Sequence, residues 1–234
     1  RGMLAARWGE IDAARSALDA AARRRESSPW VLAERADVLN RAGLYWTALK
    51  ELDRMRLALP ESPEPDIRAA KIHLDQAQYE EASGRLTRAL KLAPGDAEIY
   101  RLRSKVYFVQ GDLPPARRDM ERACALAFED THLAQERLRL EILSDDYAAA
   151  ERSLAAARLP ATSKAFWRGY LLCRRKRYAE SEAQFKAALF CADSDLAAKA
   201  AFYRCVARGL LAAPAPRSAA SQQRVEAALP RDSA

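Results

Sequence analysis

A register that repeats every 34 residues governs this chain. Stepping by 34 from Ala14 gives Ala48, Ala82, Ala116 and Ala150. The same step links Ile11, Tyr45, Tyr79, Leu113 and Tyr147, and also Leu18, Leu52, Leu86, Met120 and Leu154. A fourth ladder holds Ala21, Met55, Ala89, Ala123 and Ala157. Beyond Ala157 the step shortens to 31, and Tyr178, Ser181, Phe185 and Ala188 continue the four ladders. Sustained self-similarity at such a period is the mark of a repeat array, in which each unit buries its apolar face on its neighbours.

The residue types follow from that packing. The alanine, the larger rung and the second small residue stand at i, i+4 and i+7, one face of a helix. A small residue where two helices cross lets them approach closely. The aromatic three places earlier fills the wedge between hairpins. Gly9, Gly43 and Gly111 fall between the two helical patterns of a unit, where positive φ is easiest for glycine. Pro60 and Pro94 end second helices, and Pro114-Pro115 opens one. No alternating β-branched run occurs. The expected fold is all-α, a right-handed superhelical solenoid of about six or seven helix-turn-helix units.

These features resemble the tetratricopeptide repeat, a 34-residue helix-turn-helix unit, over most of the chain. The resemblance rests on the turn glycines, the small residue five positions after each, the aromatic or aliphatic rung and the terminal prolines. The chain departs from the family in the first helix. Its usual Leu-Gly pair is replaced by Arg35-Ala36, Ala69-Ala70, Arg103-Ser104 and Arg137-Leu138, and Arg168-Gly169 keeps only the glycine.

The solenoid is expected over residues 1–213. Its units are 1–26 (partial), 29–60, 63–94, 97–128, 131–160, 163–192 and 195–213, with the last first helix ending near Gly209. Residues 214–234 are expected to form a linker, a capping helix near 218–228 and a tail. The chain opens inside a unit and without an initiator Met, which suggests a fragment of a longer protein. It carries no signal-peptide pattern and no apolar run of the ~18 residues needed to span a bilayer.

No catalytic constellation is present: no GxSxG, HExxH, phosphate-cradling glycine loop or Cys–His pair. The chain is expected not to be an enzyme and to need no cofactor or metal. Cys124, Cys173, Cys191 and Cys205 lack CxxC spacing and read as free, at least half-buried thiols. His73 shares a rung with Leu39 and Tyr107 and reads as core.

In tetratricopeptide-like solenoids the first helices line a concave groove. Along that face one rung reads Asp37, Lys71, Lys105, Arg139, Tyr170 and Tyr203. Arg68 lies three before Lys71, and Arg101 four before Lys105, on shared helical faces. The groove is therefore expected to be basic in its middle, with an aromatic end at Phe108, Phe166, Trp167, Tyr170 and Tyr203. The expected partner is another protein, through an acidic or C-terminal carboxylate segment with an apolar anchor. Family members that bind chaperone tails use asparagines where Lys71, Lys105 and Arg139 stand, so that ligand is not expected.

The sequence therefore reads as a non-catalytic interaction scaffold. The Arg/Ala-rich composition looks bacterial, and a setting in a membrane-associated secretion or exopolysaccharide assembly is expected by analogy. The expected location is the cytoplasm, with a tether upstream of Arg1, and the periplasm is the alternative. A nucleic-acid-binding repeat is a second reading, favoured by a pI near 9.4. Against it stand 32 interspersed acidic residues and the lack of a base-reading code. A third reading is the regulatory arm of an enzyme whose catalytic domain is missing. Self-association through exposed aromatics such as Trp30 and Trp46 is also compatible with the pattern.

Overall fold

The computed structural model describes residues 28–212, and the partial unit at 1–26 and the segment 214–234 lie outside them. Every regular element among the described residues is helical. The first compact unit, which extends to Phe128, holds three described hairpins. They are α1 (Pro29–Arg41) with α2 (Tyr45–Ala58), α3 (Glu64–Asp75) with α4 (Tyr79–Leu92), and α5 (Ala97–Gln110) with α6 (Leu113–Leu126). The second unit, from Glu129, holds α7 (Thr131–Leu143) with α8 (Tyr147–Ala156), α9 (Ala161–Arg174) with α10 (Tyr178–Ala188), and α11 (Ser194–Ala212). Helix α11 runs three residues past Gly209, where the sequence pattern ended it.

The ladders form the core. Ala48, Ala82, Ala116, Ala150 and Ser181 are completely buried, as are Leu86 and Phe185 of the larger rung. At two helix crossings a serine bonds the facing backbone across 12 residues. Ser104 Oγ donates to the Ala116 carbonyl (2.6 Å), and Ser181 Oγ donates to the Gly169 carbonyl (2.9 Å). Gly169 is small because Phe185 is large: a Cβ on Gly169 would sit 2.9 Å from Phe185 Cδ1 and Cε1. Helix α3 faces two ways. Its Ala69 and Ile72 pack with α1 and α2, while its Ile67 and Ala70 pack with α4 and α5.

The five hairpin turns among the described residues close alike. The residues there with positive φ are Gly43, Ala77, Gly111, Asp145 and Lys176. Each donates its N–H to the carbonyl three residues back, as in Ala77 to Leu74 (3.1 Å) and Lys176 to Cys173 (3.0 Å). The next N–H reaches five back, as in Gln78 to His73 (2.8 Å) and Arg177 to Leu172 (2.9 Å). This is the Schellman ending, whose left-handed residue favours glycine. Ala77→Gly and Lys176→Gly are each expected to raise stability by ~0.5–1 kcal/mol by relieving the Cβ clash. Urea unfolding followed by circular dichroism checks this, and a loss of stability in both variants would refute the strain.

Aspartates cap several first turns: the side chain of Asp96 accepts from Glu98 N, Asp130 from His132 N and Asp146 from Ala149 N. His73 is buried, with Nδ1 2.7 Å from Gln78 Oε1. The four cysteines are free, and Cys205 is exposed rather than half-buried.

Candidate protein-docking surface

In the first unit, first helices α1, α3 and α5 place Asp37, Lys71 and Lys105 at equivalent positions, as the repeat requires. Their charges are largely answered within the unit. Arg68 Nη1 lies 2.5 Å from Asp37 Oδ2, and Arg68 Nε lies 2.6 Å from Glu64 Oε1. Lys71 Nζ is 3.2 Å from Glu98 Oε1. Arg101 grips both oxygens of the same Glu98, at 2.6 and 2.8 Å. Burial pushes the Glu98 carboxyl up, but hydrogen bonds and charge from Arg101, then Lys71, hold it below its ordinary range. Such pairs stabilise little where exposed, yet they link α1 to α3 and α3 to α5.

The expected basic middle is thus corrected: three carboxylates, Asp37, Glu64 and Glu98, balance Arg68, Lys71 and Arg101. Stepping by 34 aligned the cations but passed over acids one turn away. Lys105 differs. It is half-buried on α5 and has no ion-pair partner among the described residues. Phe108, three residues on and half-buried, shares its side of the helix.

In the second unit, Arg139 is half-buried on α7. The aromatic residues come together as expected, but inside. Phe166, Trp167, Tyr170 and Tyr203 are all nearly inaccessible and pack with Phe185 in one core. Phe166 lies 5.3 Å from Trp167 edge-on and 5.9 Å from Phe185, and Tyr170 lies 5.2 Å from Tyr203. Trp167 Nε1 donates to Gln135 Oε1 (3.4 Å). These rings fill the hairpin-to-hairpin interface, where large aromatic area is worth most. The correction is that they form core and offer no open pocket to an anchor.

The arginines that interrupt the family's Leu-Gly pair have a structural task that the sequence reading missed. Arg103 forks onto Asp119 at 2.7 and 2.9 Å, and Arg35 lies 3.6 Å from the buried Glu51. Both pairs are 16 residues apart, from first helix to second, and that offset was the available signal. Where Ala69 takes the first position, Arg85 takes the second and meets Asp66 (3.2 Å) and Asp53 (2.9 Å). Arg137 instead meets Glu141 on its own helix (2.8 Å), with Ser153 Oγ donating to the same oxygen (2.8 Å). The basic run Arg174-Arg175-Lys176-Arg177 fills one hairpin turn. Arg174 pairs there with Asp145, Arg175 with Glu151 and Arg177 with Glu180.

Trp30 and Trp46 are exposed, as are Phe128 and Phe190. Among the described residues, no helix is long and apolar enough to cross a membrane. No group of three His, Cys, Asp or Glu side chains there could hold a metal.

Residues 42–106 match the family model of the tetratricopeptide repeat. No curated protein matches the chain. Similar solved structures include MamA (residues 41 to the end) from Desulfovibrio magneticus RS-1, 24% identical, covering 65% of this chain and 86% of that one, with a TM-score of 0.55. PilF of Pseudomonas aeruginosa is 17% identical, covering 85% of this chain and 92% of its own, with a TM-score of 0.61. YrrB, a TPR protein with an unusual peptide-binding site, is 16% identical over 81% of this chain and 100% of its own, with a TM-score of 0.57. At these identities the likeness concerns the fold.

Proposed function

We propose that this chain, a tetratricopeptide repeat protein, is a non-catalytic scaffold that docks a segment of another protein on its first-helix face. Proteins of this repeat type are generally scaffolds without catalysis, and a repeat array presents one helix face over many residues. The observation that carries the finer reading is Lys105. Arg68, Lys71 and Arg101 already hold carboxylates, whereas Lys105 holds none among the described residues. A partner carboxylate, from an acidic side chain or a chain terminus, meets Lys105, and an apolar group beside it rests on Phe108. Lys71, half exposed on its pair with Glu98, exchanges partners at small cost. Charge steers the encounter, and the apolar contact supplies more of the affinity.

The test compares partners retained from the source lysate by the wild-type chain, by Lys105→Glu and by Arg118→Glu. Arg118 is an exposed cation on the second helix α6, and helicity is checked in each variant. Lys105→Glu is expected to weaken the specific partner by about tenfold, close to 1.4 kcal/mol. Arg118→Glu is expected to leave it unchanged. Equal retention by all three would place the docking surface elsewhere.

A further inference from the structure

Helix α11 stands apart from the other first helices, because no second helix follows it among the described residues. One of its sides is core: Leu196, Ala200, Tyr203 and Ala207, at i, i+4, i+7 and i+11, are buried, the first three in one cluster with residues of α9 and α10. A second stripe with the same spacing, Ala198, Phe202, Cys205 and Gly209, is exposed. Phe202 stands half in solvent, and a Cβ on Gly209 would meet nothing within 4 Å. An apolar stripe at helical spacing is the face that a helix turns toward another helix.

The chain itself supplies a fitting occupant. In each hairpin the buried side of the second helix carries a small, a larger and a small or medium residue at i, i+4 and i+7, such as Ala82, Leu86 and Ala89 or Ser181, Phe185 and Ala188. Beyond Ala212 this signature recurs once, as Ser221, Val225 and Ala228. The small residue of the second helix also stands a fixed 12 positions after its counterpart in the first, as in Ala36 and Ala48, Ala70 and Ala82, Ser104 and Ala116, and Gly169 and Ser181. Gly209 and Ser221 keep that separation and repeat the Gly169/Ser181 residue pair, in which the serine hydroxyl bonds the glycine carbonyl. Pro214 and Pro216 forbid simple continuation of α11. Five residues, 213–217, then reach up to ~16 Å, more than the ~8–10 Å between packed helices.

We propose that the exposed stripe of α11 is the docking surface for residues 218–229 of the same chain, with Ser221 opposite Gly209 and Val225 and Ala228 over Cys205 and Phe202. The native Cys205 thiol is the probe. In the full chain its alkylation by N-ethylmaleimide, read by peptide mass, is expected to be at least ~10-fold slower than in Val225→Asp/Ala228→Asp, at a rate independent of protein concentration. Equal rates in the two proteins overturn the proposal. So does protection that disappears on dilution, which would assign the surface to a second copy of the chain. A second readout covers the case in which the double variant fails to fold. In Gly209→Cys/Ser221→Cys/Cys205→Ser, mild oxidation is expected to join the two new cysteines within one chain. Failure to form that bond, or its formation only between chains, overturns the proposal as well.

Discussion

Replacing Asp66 by alanine is expected to lower the unfolding free energy by about 3 kcal/mol, among the largest effects of any single charge removal in the first unit. The Asp66 side chain sits in the first turn of α3 and is 1% exposed. There it faces Arg85 Nη1 at 3.2 Å and Arg88 Nε at 3.5 Å. Removing it takes from Arg85, whose own side chain is largely covered, the more deeply buried of its two carboxylates. Taking one member from a buried pair costs more than the pair contributes, because the remaining charge stays desolvated. Asp53 retains Arg85 at 2.9 Å, which keeps the cost toward the lower end of the range for such losses. The helix also loses an acid favourable to its N-terminal dipole. Arg88, nearly half exposed, serves as the comparison: Arg88→Ala is expected to cost no more than ~1 kcal/mol. Urea unfolding followed at 222 nm reads both variants. Equal, small losses would mean that water replaces the carboxylate and that the buried pair carries little.

The second large effect lies at the α9–α10 crossing. Gly169→Ala is expected to destabilise by ~2 kcal/mol, because the new methyl group meets the Phe185 ring in a packed interior. Phe185→Leu alone is expected to cost ~1–2 kcal/mol by opening space under the same ring position. The double variant recreates the alanine-over-leucine crossing that Ala70, Ala82 and Leu86 already form. Its loss is therefore expected to fall short of the sum by about 1 kcal/mol, a coupling typical of residues in contact. Strict additivity in the cycle would show that the ring moves aside and that the glycine is not set by Phe185.

The fold was legible because its determinants recur in place. Ala48, Ala82, Ala116 and Ala150 announce the crossing by identity, and the rungs around them announce the helical face. Turn glycines were visible at Gly43 and Gly111. The turns at Ala77 and Lys176 were hidden, since backbone hydrogen bonds hold those residues in a conformation that their side chains do not advertise. The surface was read less well, for a related reason. Stepping by the repeat compares a residue with its equivalents, whereas an ion pair joins non-equivalent residues. Asp37 with Arg68, or Arg103 with Asp119, lie 31 and 16 residues apart, so the ladder of Lys71 and Lys105 looked basic until its neighbours were placed. The aromatics failed differently. Tyr170 and Tyr203 hold the rung of Lys71 and Lys105, but together with Phe166 and Trp167 they join the larger Phe185 in one buried cluster and close into core. What survived as a candidate docking residue, Lys105, was distinguished by having no ion-pair partner among the described residues, which its own position in the repeat could not show.

The two-sided packing of α3 has a consequence for how the first unit comes apart. Ala69 and Ile72 belong to one apolar cluster, Ile67 and Ala70 to the next. Melting of the α1–α2 hairpin would uncover only one side of α3, and the other side would still hold it to α4 and α5. Loss of order can therefore advance in steps of one hairpin, each halted by a helix that keeps half its contacts. A partner spread along α1, α3 and α5 would feel those steps as the loss of successive footholds, and by holding them together it would turn a stepwise melt into a single event.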